Sequence, residues 1–472
     1  SLACATAIIA MQTGRPAKMR YDRDDDMMIT GKRHDFRIDY TVGVDDDGKI
    51  LGIEFTQYAR CGWSIDLSLP VADRAMLHAD NAYNLENVRI ISHRLRTNTQ
   101  SATAYRGFGG PQGMLGIERV IDHVAHALGR DPVSVRRMNY YAANDGGGLS
   151  APHSPEASPP ESLSGKMKKG TGSDDLASRG SQPVVAADAA VAGVADGSSR
   201  GMQTTPYGQP VEDFILGALS DQLIDSANYM ERRAAVARWN AENPVLKRGI
   251  AFSPVKFGIS FTLTHLNQAG ALVHVYQDGS ISMNHGGTEM GQGLFQKVAQ
   301  IAAARFGVPV EVVKITATDT AKVPNTSATA ASSGTDLNGM AVKAACDTIR
   351  DRMAGHLATL YQAEAGSVRF ADGRVHVGRE ELSFAEAAML CYQGRVSLSS
   401  TGFYKTPGID WDRLKGRGHP FFYFAYGAAV TEVVIDTLTG ENRILRADII
   451  HDTGASLNLA IDIGQIEGAY VQ

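Results

Sequence analysis

Three short segments rich in glycine and small residues carry the groups that could hold an anionic ligand. They are 103–112 (TAYRGFGGPQ), 286–293 (GGTEMGQG) and 327–334 (SATAASSG). Closely spaced glycines let backbone N–H groups approach an anion, and the N-terminus of a following helix favours its negative charge. The second segment follows a strand-like run and precedes a helix-like one. This pattern predicts a loop whose backbone contacts an anionic group.

Single side chains near these segments have ordinary interpretations when each is considered alone. Arg106 lies between two aromatic residues, which is typical of a surface arginine stacked on a ring. Phe261 lies on a strand-like run, where phenylalanine usually belongs to the core. Arg74 lies on a helix-like run, where arginine is usually solvated. The small residues at 330–333 are typical of a helix N-terminus.

Taken in order, the three segments resemble the molybdenum-binding (large) subunit of bacterial xanthine dehydrogenases, in the xanthine oxidase family of molybdenum hydroxylases. The resemblance includes 456–458 (SLN) and 461–465 (IDIGQ), and it covers nearly everything outside about residues 145–205. Several long motifs in one order are more specific than one glycine pattern. The resemblance implies the molybdopterin-binding domains of this family.

The resemblance also implies a pocket for a flat purine. Arg74 would lie opposite a purine carbonyl oxygen and stabilise charge that develops on the ring in the transition state. Phe108 and Phe261 would sandwich the ring system, and Thr262 would line the pocket. The family usually has phenylalanine where this chain has Tyr105, which keeps the ring and adds a hydroxyl. Related aldehyde-oxidising enzymes lack the arginine, so its presence favours a purine substrate.

A molybdenum–molybdopterin cofactor in its sulfido form is the cofactor that the resemblance implies. Arg106 and Ala331 would contact the molybdenum centre. Further contacts with the cofactor are expected from Gly107, Gly291, Gln292, Ala330, Ser332 and Gln465. Glu289 is interpreted as structural, because the resemblance gives it no catalytic role.

Two glutamates that the family uses are not found in this sequence. One is the general base in a Gly-Glu-Pro-Pro segment, which the family would place beyond Gln472. The other grips the substrate from a glycine-rich segment that would precede Ser1. We therefore expect an internal fragment of a longer chain, inactive alone and active within the parent chain.

Composition narrows the class of protein. The chain has 472 residues, a net charge of −5 and 43% hydrophobic residues, which is typical of a globular protein with two or more domains. The acidity disfavours a nucleic-acid partner, and no apolar run is long enough to span a membrane. The four cysteines are scattered and show no iron–sulfur spacing, which favours the cytoplasm. The resemblance implies that a 2Fe-2S cluster and FAD lie on a partner subunit, in a dimer of heterodimers.

The order of elements predicts an α+β fold. Hairpin signals of the Asp-Gly and Thr-Gly type lie within 33–60, 270–285 and 427–450. Apolar residues at helical spacing predict helices over 111–128, 292–306 and 336–357. Strand pairs interleaved with helices indicate α+β rather than a doubly wound parallel sheet.

Residues 144–204 divide the predicted domains. They lack aromatic residues and are rich in serine, glycine, alanine, proline and aspartate, which predicts a disordered, low-complexity linker. Residues 1–143 would form a first molybdopterin-binding domain, truncated at its N-terminus, and 205–472 a second, truncated at its C-terminus.

The function predicted is molybdenum-dependent hydroxylation of xanthine and hypoxanthine to urate, with water as the oxygen source. Electrons would pass to the iron–sulfur clusters and FAD of the partner subunit and then to NAD. Three alternatives stay open: an aldehyde or N-heterocycle oxidoreductase of the same superfamily, a non-catalytic pterin-binding or assembly protein, and a partial gene product.

Overall fold

The computed structural model describes residues 2–142, 189–194, 203–316, 318, 322 and 326–472, and for 189–194 the backbone alone. Most of the predicted linker 144–204 lies outside the described residues. Its residues 189–194 form a strand, which composition did not predict, and the linker itself stays a prediction. The strand pairs antiparallel with residues 87–92. Backbone pairing at a sheet edge needs no aromatic side chain, and composition therefore gave no sign of it.

Helices and strands alternate along the described chain. The helices are α1 (Leu2–Thr13), α2 (Arg23–Ile29), α3 (Ser68–Leu77), α4 (Gly110–Ala127), α5 (Pro132–Asn139), α6 (Leu216–Ser226), α7 (Tyr229–Glu242), α8 (Leu294–Phe306), α9 (Gly334–Leu360), α10 (Phe384–Gln393) and α11 (Leu459–Val471). The strands are β1 (Phe36–Val44), β2 (Ile50–Gly62), β3 (Asn87–Arg96), β4 (Ala189–Val194), β5 (Leu246–Ile259), β6 (Gln268–Val275), β7 (Ile281–His285), β8 (Val313–Ile315), β9 (Arg369–Ala371), β10 (Arg374–Val377), β11 (Glu380–Ser383), β12 (Ser399–Lys405), β13 (Asp410–Asp412), β14 (Arg417–His419), β15 (Tyr423–Asp436) and β16 (Asn442–His451).

The predicted fold class is confirmed, and the predicted elements are present. The three hairpins are β1–β2, β6–β7 and β15–β16, each antiparallel. The three predicted helices correspond to α4, α8 and α9. The apolar face predicted for α4 is buried at Ile117, Val120, Ile121 and Val124. Helical spacing was therefore a good guide to which side of this helix faces the core.

A first core packs the sheet β1-β2-β3-β4 and the helices α3 to α6 together with strands β5 and β15. It includes Phe55 and Tyr83 from before residue 143, and Tyr207, Phe252 and Phe421 from after residue 205. The core thus draws on both sides of the predicted linker. The limits 1–143 and 205–472 stay a prediction about domains and do not separate two hydrophobic cores.

A second core lies within the later part of the chain. The sheet β12-β6-β7-β8 is covered by α8 and the long helix α9, and α10 packs beside them with the small sheet β11-β10-β9. Val342, Ile349, Met353 and Leu357 of α9 are fully buried in it.

A third sheet, β16-β15-β5, connects the two cores. Strand β5 runs along the first core and ends at Ile259, and the chain then enters the second core through β6. The residues just after β5 therefore lie where the two cores meet. No helix among the described residues is long and apolar enough to cross a membrane.

Candidate functional site

A small apolar cluster lies between the two cores and unites four segments of the sequence. It contains Val71 of α3, Phe108, Phe261 and Ala331, all at least nine-tenths buried. The rings of Phe108 and Phe261 have centroids 5.0 Å apart and planes inclined by 59°. Rings inclined in this way, with centroids only 5.0 Å apart, cannot both stack face to face on one planar ligand between them.

The backbone around Phe108 is held in an uncommon conformation. Gly107, Phe108 and Gly109 have φ values of 88°, 52° and 96°, in the left-handed region. A Cβ on Gly109 would overlap the carbonyl oxygen of Val71 and lie 3.1 Å from the amide nitrogen of Ala75. Glycine is therefore required where this loop crosses α3, and the crossing fixes Phe108 beside that helix.

Phe261 and Thr262 are positioned by neighbours that the sequence did not single out. The side chain of Asn267 accepts a hydrogen bond from Phe261 N (2.7 Å) and donates one to Phe261 O (2.8 Å). Thr262 Oγ1 donates to Pro70 O at 3.3 Å. Asn267 is 3% exposed, so its bonds are shielded from water. A buried amide that bonds the backbone of a residue six positions earlier gives no periodic signal.

Arg74 is fully buried, so the solvated arginine expected from helix preference alone is wrong. It donates from Nη1 to Gly258 O (3.1 Å) and from Nη2 to Ser260 O. Its guanidinium carbon lies 5.0 Å from the ring centre of Phe257 and 5.2 Å from that of Phe421. Each carbonyl and ring attracts the cation without neutralising it.

The charge of Arg74 has no carboxylate partner among the described residues, and its Nε has no hydrogen-bond acceptor there. Burial lowers the pKa of Arg74 to about 9, so the group stays protonated at neutral pH. A cation in this situation favours an added anionic or electron-rich group nearby.

A second group of predicted residues meets at α11. Arg106 Nη2 donates to Gln465 O at 2.7 Å and to Gln465 Oε1 at 3.2 Å, and Gln465 Nε2 donates to Gly291 O at 3.5 Å. These contacts join three segments that are far apart in the sequence. The hydroxyl of Tyr105 accepts a hydrogen bond from Gln472 Nε2 at 2.8 Å.

The glycine loop 286–293 is held by its own side chains. Both carboxylate oxygens of Glu289 accept backbone N–H groups, from Gly291 (2.8 Å), Gly293 (3.1 Å) and Phe295 (3.0 Å). Although burial opposes it, these bonds lower the pKa of Glu289. The ionised carboxylate caps the loop and the start of α8, which agrees with a structural role. Gln292 also bonds within the loop, donating to Thr288 O at 2.7 Å.

The loop before α9 offers free backbone donors. Ala331 and Ser332 both have φ of 60°, which is uncommon for residues other than glycine. The N–H groups of Ala330, Ala331 and Ser332 bond to no described residue. Thr329 Oγ1 accepts from Thr288 N at 2.8 Å, which ties this loop to 286–293.

These features fit an anionic group bearing metal-bound oxygen or phosphate. Successive unpaired N–H groups at the N-terminus of a long helix form a concave set of donors for such a group. Among the described residues, no group of three histidine, cysteine, aspartate or glutamate side chains could hold a metal ion.

Comparisons with known proteins also indicate a protein that binds a cofactor. The family described as molybdopterin cofactor-binding domain matches residues 1–140 and 222–472. A xanthine dehydrogenase of Oryza sativa subsp. japonica is 42% identical over 470 residues, which is 100% of this chain and 29% of the relative. A xanthine dehydrogenase/oxidase of Gallus gallus is 40% identical over 471 residues, again 100% and 29%. The chain therefore spans less than a third of the length of these relatives.

Solved structures share the fold. Aldehyde oxidoreductase from Desulfovibrio desulfuricans has a TM-score of 0.74 at 22% identity, over 99% of this chain and 42% of that one. Quinoline 2-oxidoreductase from Pseudomonas putida has a TM-score of 0.76 at 21% identity, over 98% of this chain and 53% of that one. The two functions differ on one fold, so the site residues must decide the chemistry.

Proposed function

This chain belongs to the molybdopterin cofactor-binding domains of the xanthine oxidase family, and on that basis we propose that the protein carrying it is a molybdenum hydroxylase that oxidises xanthine and hypoxanthine to urate. The oxygen would come from water. Electrons would leave through iron–sulfur clusters and FAD on a partner subunit and reach NAD. The two kinds of subunit would assemble as a dimer of heterodimers in the cytoplasm.

The observation that carries the purine assignment is the buried guanidinium of Arg74. It bonds Ser260 O, directly before Phe261 in the chain, and it shares α3 with Val71 of the aromatic cluster. Negative charge that develops on a carbonyl-bearing ring during oxidation would be stabilised by this cation. This attraction would be larger in the transition state than in the ground state because the charge develops there, and no carboxylate among the described residues competes for the cation.

Other residues of this chain would bind and orient the substrate and the cofactor. Phe108 and Phe261 would hold the ring and exclude water. Thr262, the residue after Phe261, would line the same pocket. The cofactor would supply an electron sink and an activated water for the substrate carbon. Its anionic groups would meet the N–H groups of 330–332, while Arg106 and the 286–293 loop would complete the binding surface. The general base would come from elsewhere in the full-length protein.

The first test measures molybdenum by mass spectrometry in the full-length protein, co-expressed with its redox partner, alongside xanthine-dependent reduction of NAD. Near-stoichiometric metal with turnover supports the proposal. A folded, partner-bound protein without metal would overturn it and favour the pterin-binding or assembly role. Metal with turnover of aldehydes alone would favour the aldehyde oxidoreductase.

A second test removes the positive charge of Arg74. For Arg74→Met we expect kcat/KM for xanthine to fall by about 100-fold or more, since one well-placed charge contributes roughly 3 kcal/mol in a transition state. The matched control is Arg136→Met, which removes another buried arginine of the first core, paired with Glu118 and Asp122. It should lower stability without changing the ratio of xanthine to aldehyde turnover. Equal losses for both substrates in Arg74→Met would contradict the assigned role.

A further inference from the structure

Strand β5 has one edge that is covered by side chains of a helix. Its other edge pairs with β15, and no strand among the described residues lies along the edge that faces α3. Backbone groups of alternate residues, 254, 256, 258 and 260, bond instead to side chains of α3 and of the turn that follows it. Successive residues of a strand direct their backbone groups to opposite edges, which explains the alternation.

Asn81 makes two of these bonds with one amide. Its Nδ2 donates to Pro254 O at 2.9 Å, and its Oδ1 accepts from Lys256 N at 3.0 Å. It has φ of 40°, a conformation that asparagine tolerates better than most residues. Asn81 is fully buried and therefore pairs with the strand much as a neighbouring strand would.

His78 bonds the backbone of β5 near its end. Its Nε2 accepts a hydrogen bond from Gly258 N at 3.0 Å, so the ring proton lies on Nδ1. Nδ1–H then donates to Arg74 O at 2.9 Å. The imidazole is 1% exposed and lies 5.0 Å from the ring centres of both Phe257 and Phe421. Burial, and then the charges of Arg74 and Lys256, hold the pKa of His78 well below its usual range, which keeps Nε2 free to accept.

Gly258 gives this bond a fixed partner. A Cβ at this position would overlap the ring of Phe421, so the strand backbone lies directly on that ring. Arg74 bonds the carbonyl of the same glycine. Both backbone groups of Gly258 are thus held from α3, three residues before Phe261.

We propose that His78 is a positioning residue for the substrate pocket. By accepting the N–H of Gly258, it fixes the end of β5 and so sets where Phe261 and Thr262 lie relative to Phe108. This inference rests on the proposed function for its effect on substrate, and on the structure alone for its effect on the strand.

The test compares variants of His78 in the full-length protein with its redox partner. His78→Leu removes the acceptor, whereas His78→Gln carries an oxygen at a similar reach from the backbone. We expect His78→Leu to raise KM for xanthine about tenfold, as the loss of one buried hydrogen bond would allow, with kcat changing less than KM. His78→Gln should return KM to within about threefold of the wild type. Molybdenum content should stay the same in both.

Hydrogen–deuterium exchange of the peptide covering 255–262 gives a readout that needs no substrate. Exchange there should be faster in His78→Leu and return towards the wild-type rate in His78→Gln. If His78→Leu does not fold, His78→Asn replaces it, since its shorter amide cannot reach Gly258. Val124→Ala, a buried change on α4, is the control for general loss of stability.

Two results would overturn the inference. One is unchanged exchange of 255–262 in the variants without an acceptor; the other is an equal rise in KM and exchange in Val124→Ala. If the wild type turns over no xanthine, the proposed function fails, and exchange alone then decides the inference. Faster exchange in His78→Leu with recovery in His78→Gln would still support the positioning of β5.

Discussion

The contact between the loop before α4 and helix α3 can be tested by three glycine-to-alanine changes that separate strain from overlap. At Gly109 a Cβ would meet both a left-handed φ of 96° and the backbone of Val71. At Gly113, inside α4, it would overlap Ala75 O with ordinary helical φ. At Gly129 it would meet the left-handed φ of 63° with nothing within 4 Å.

The expected order of stability loss follows from these two effects. Left-handed strain costs about 1–2 kcal/mol, and overlap with packed backbone costs about 1–3 kcal/mol more. Gly109→Ala should therefore lose about 2–5 kcal/mol, which corresponds to a fall in melting temperature of about 4–20 °C in a domain of 150–250 residues. Gly129→Ala should lose about 1 kcal/mol. Gly113→Ala should fall between them, because alanine improves helix propensity by about 0.5–1 kcal/mol and offsets part of the overlap.

Thermal unfolding of the full-length protein, followed by circular dichroism, measures these differences, and KM for xanthine reports whether Phe108 has moved. The reasoning is refuted if Gly109→Ala melts within about 2 °C of Gly129→Ala, since overlap with α3 would then be negligible.

Three further outcomes are expected. Arg106→Lys keeps the charge but loses the planar fork that reaches Gln465 O and Oε1, so molybdenum content measured by mass spectrometry should fall while the melting temperature changes little. Burial lowers the pKa of His34 to about 4 in the folded protein. As pH falls below about 6.5, only the unfolded protein therefore gains a proton at this histidine. The free energy of unfolding should be about 2 kcal/mol lower at pH 5 than above that pH for each histidine of this kind. The melting temperature of His34→Gln should depend less on pH than that of the wild type. Phe261→Ala should raise KM for xanthine more than Phe108→Leu, because the leucine keeps an apolar side chain in the cluster. Equal KM values for the two variants would argue against aromatic contact with the substrate.

Much of the fold could be predicted from local sequence pattern. The turn at Asp278-Gly279 and the apolar spacing of Ile117, Val120 and Ile121 depend on neighbours within a few residues, and both were confirmed. The strand β4 was missed because its pairing with β3 depends on a partner about a hundred residues away.

The candidate site, too, was predicted only in part from the sequence. Phe108, Phe261 and Ala331 lie in one cluster, and their contacts with substrate and cofactor stay predictions. Asn267 and His78 were not predicted, because each bonds backbone atoms and neither bond leaves a pattern in the sequence. Burial of a long charged side chain depends on which rings and carbonyls surround it, and spacing along one helix cannot supply that.

Because side chains of α3 and of the turn after it hold β5 through its backbone, these bonds do not depend on which side chains follow the end of the strand. Phe261 and Thr262 could be exchanged for others while His78, Asn81 and Arg74 kept the same bonds to the main chain. Substitutions at these two positions could therefore change substrate choice during evolution while the hydrogen bonds to the strand backbone stayed the same. A laboratory library limited to apolar and small polar residues at these two buried positions should, for the same reason, retain a large fraction of folded members.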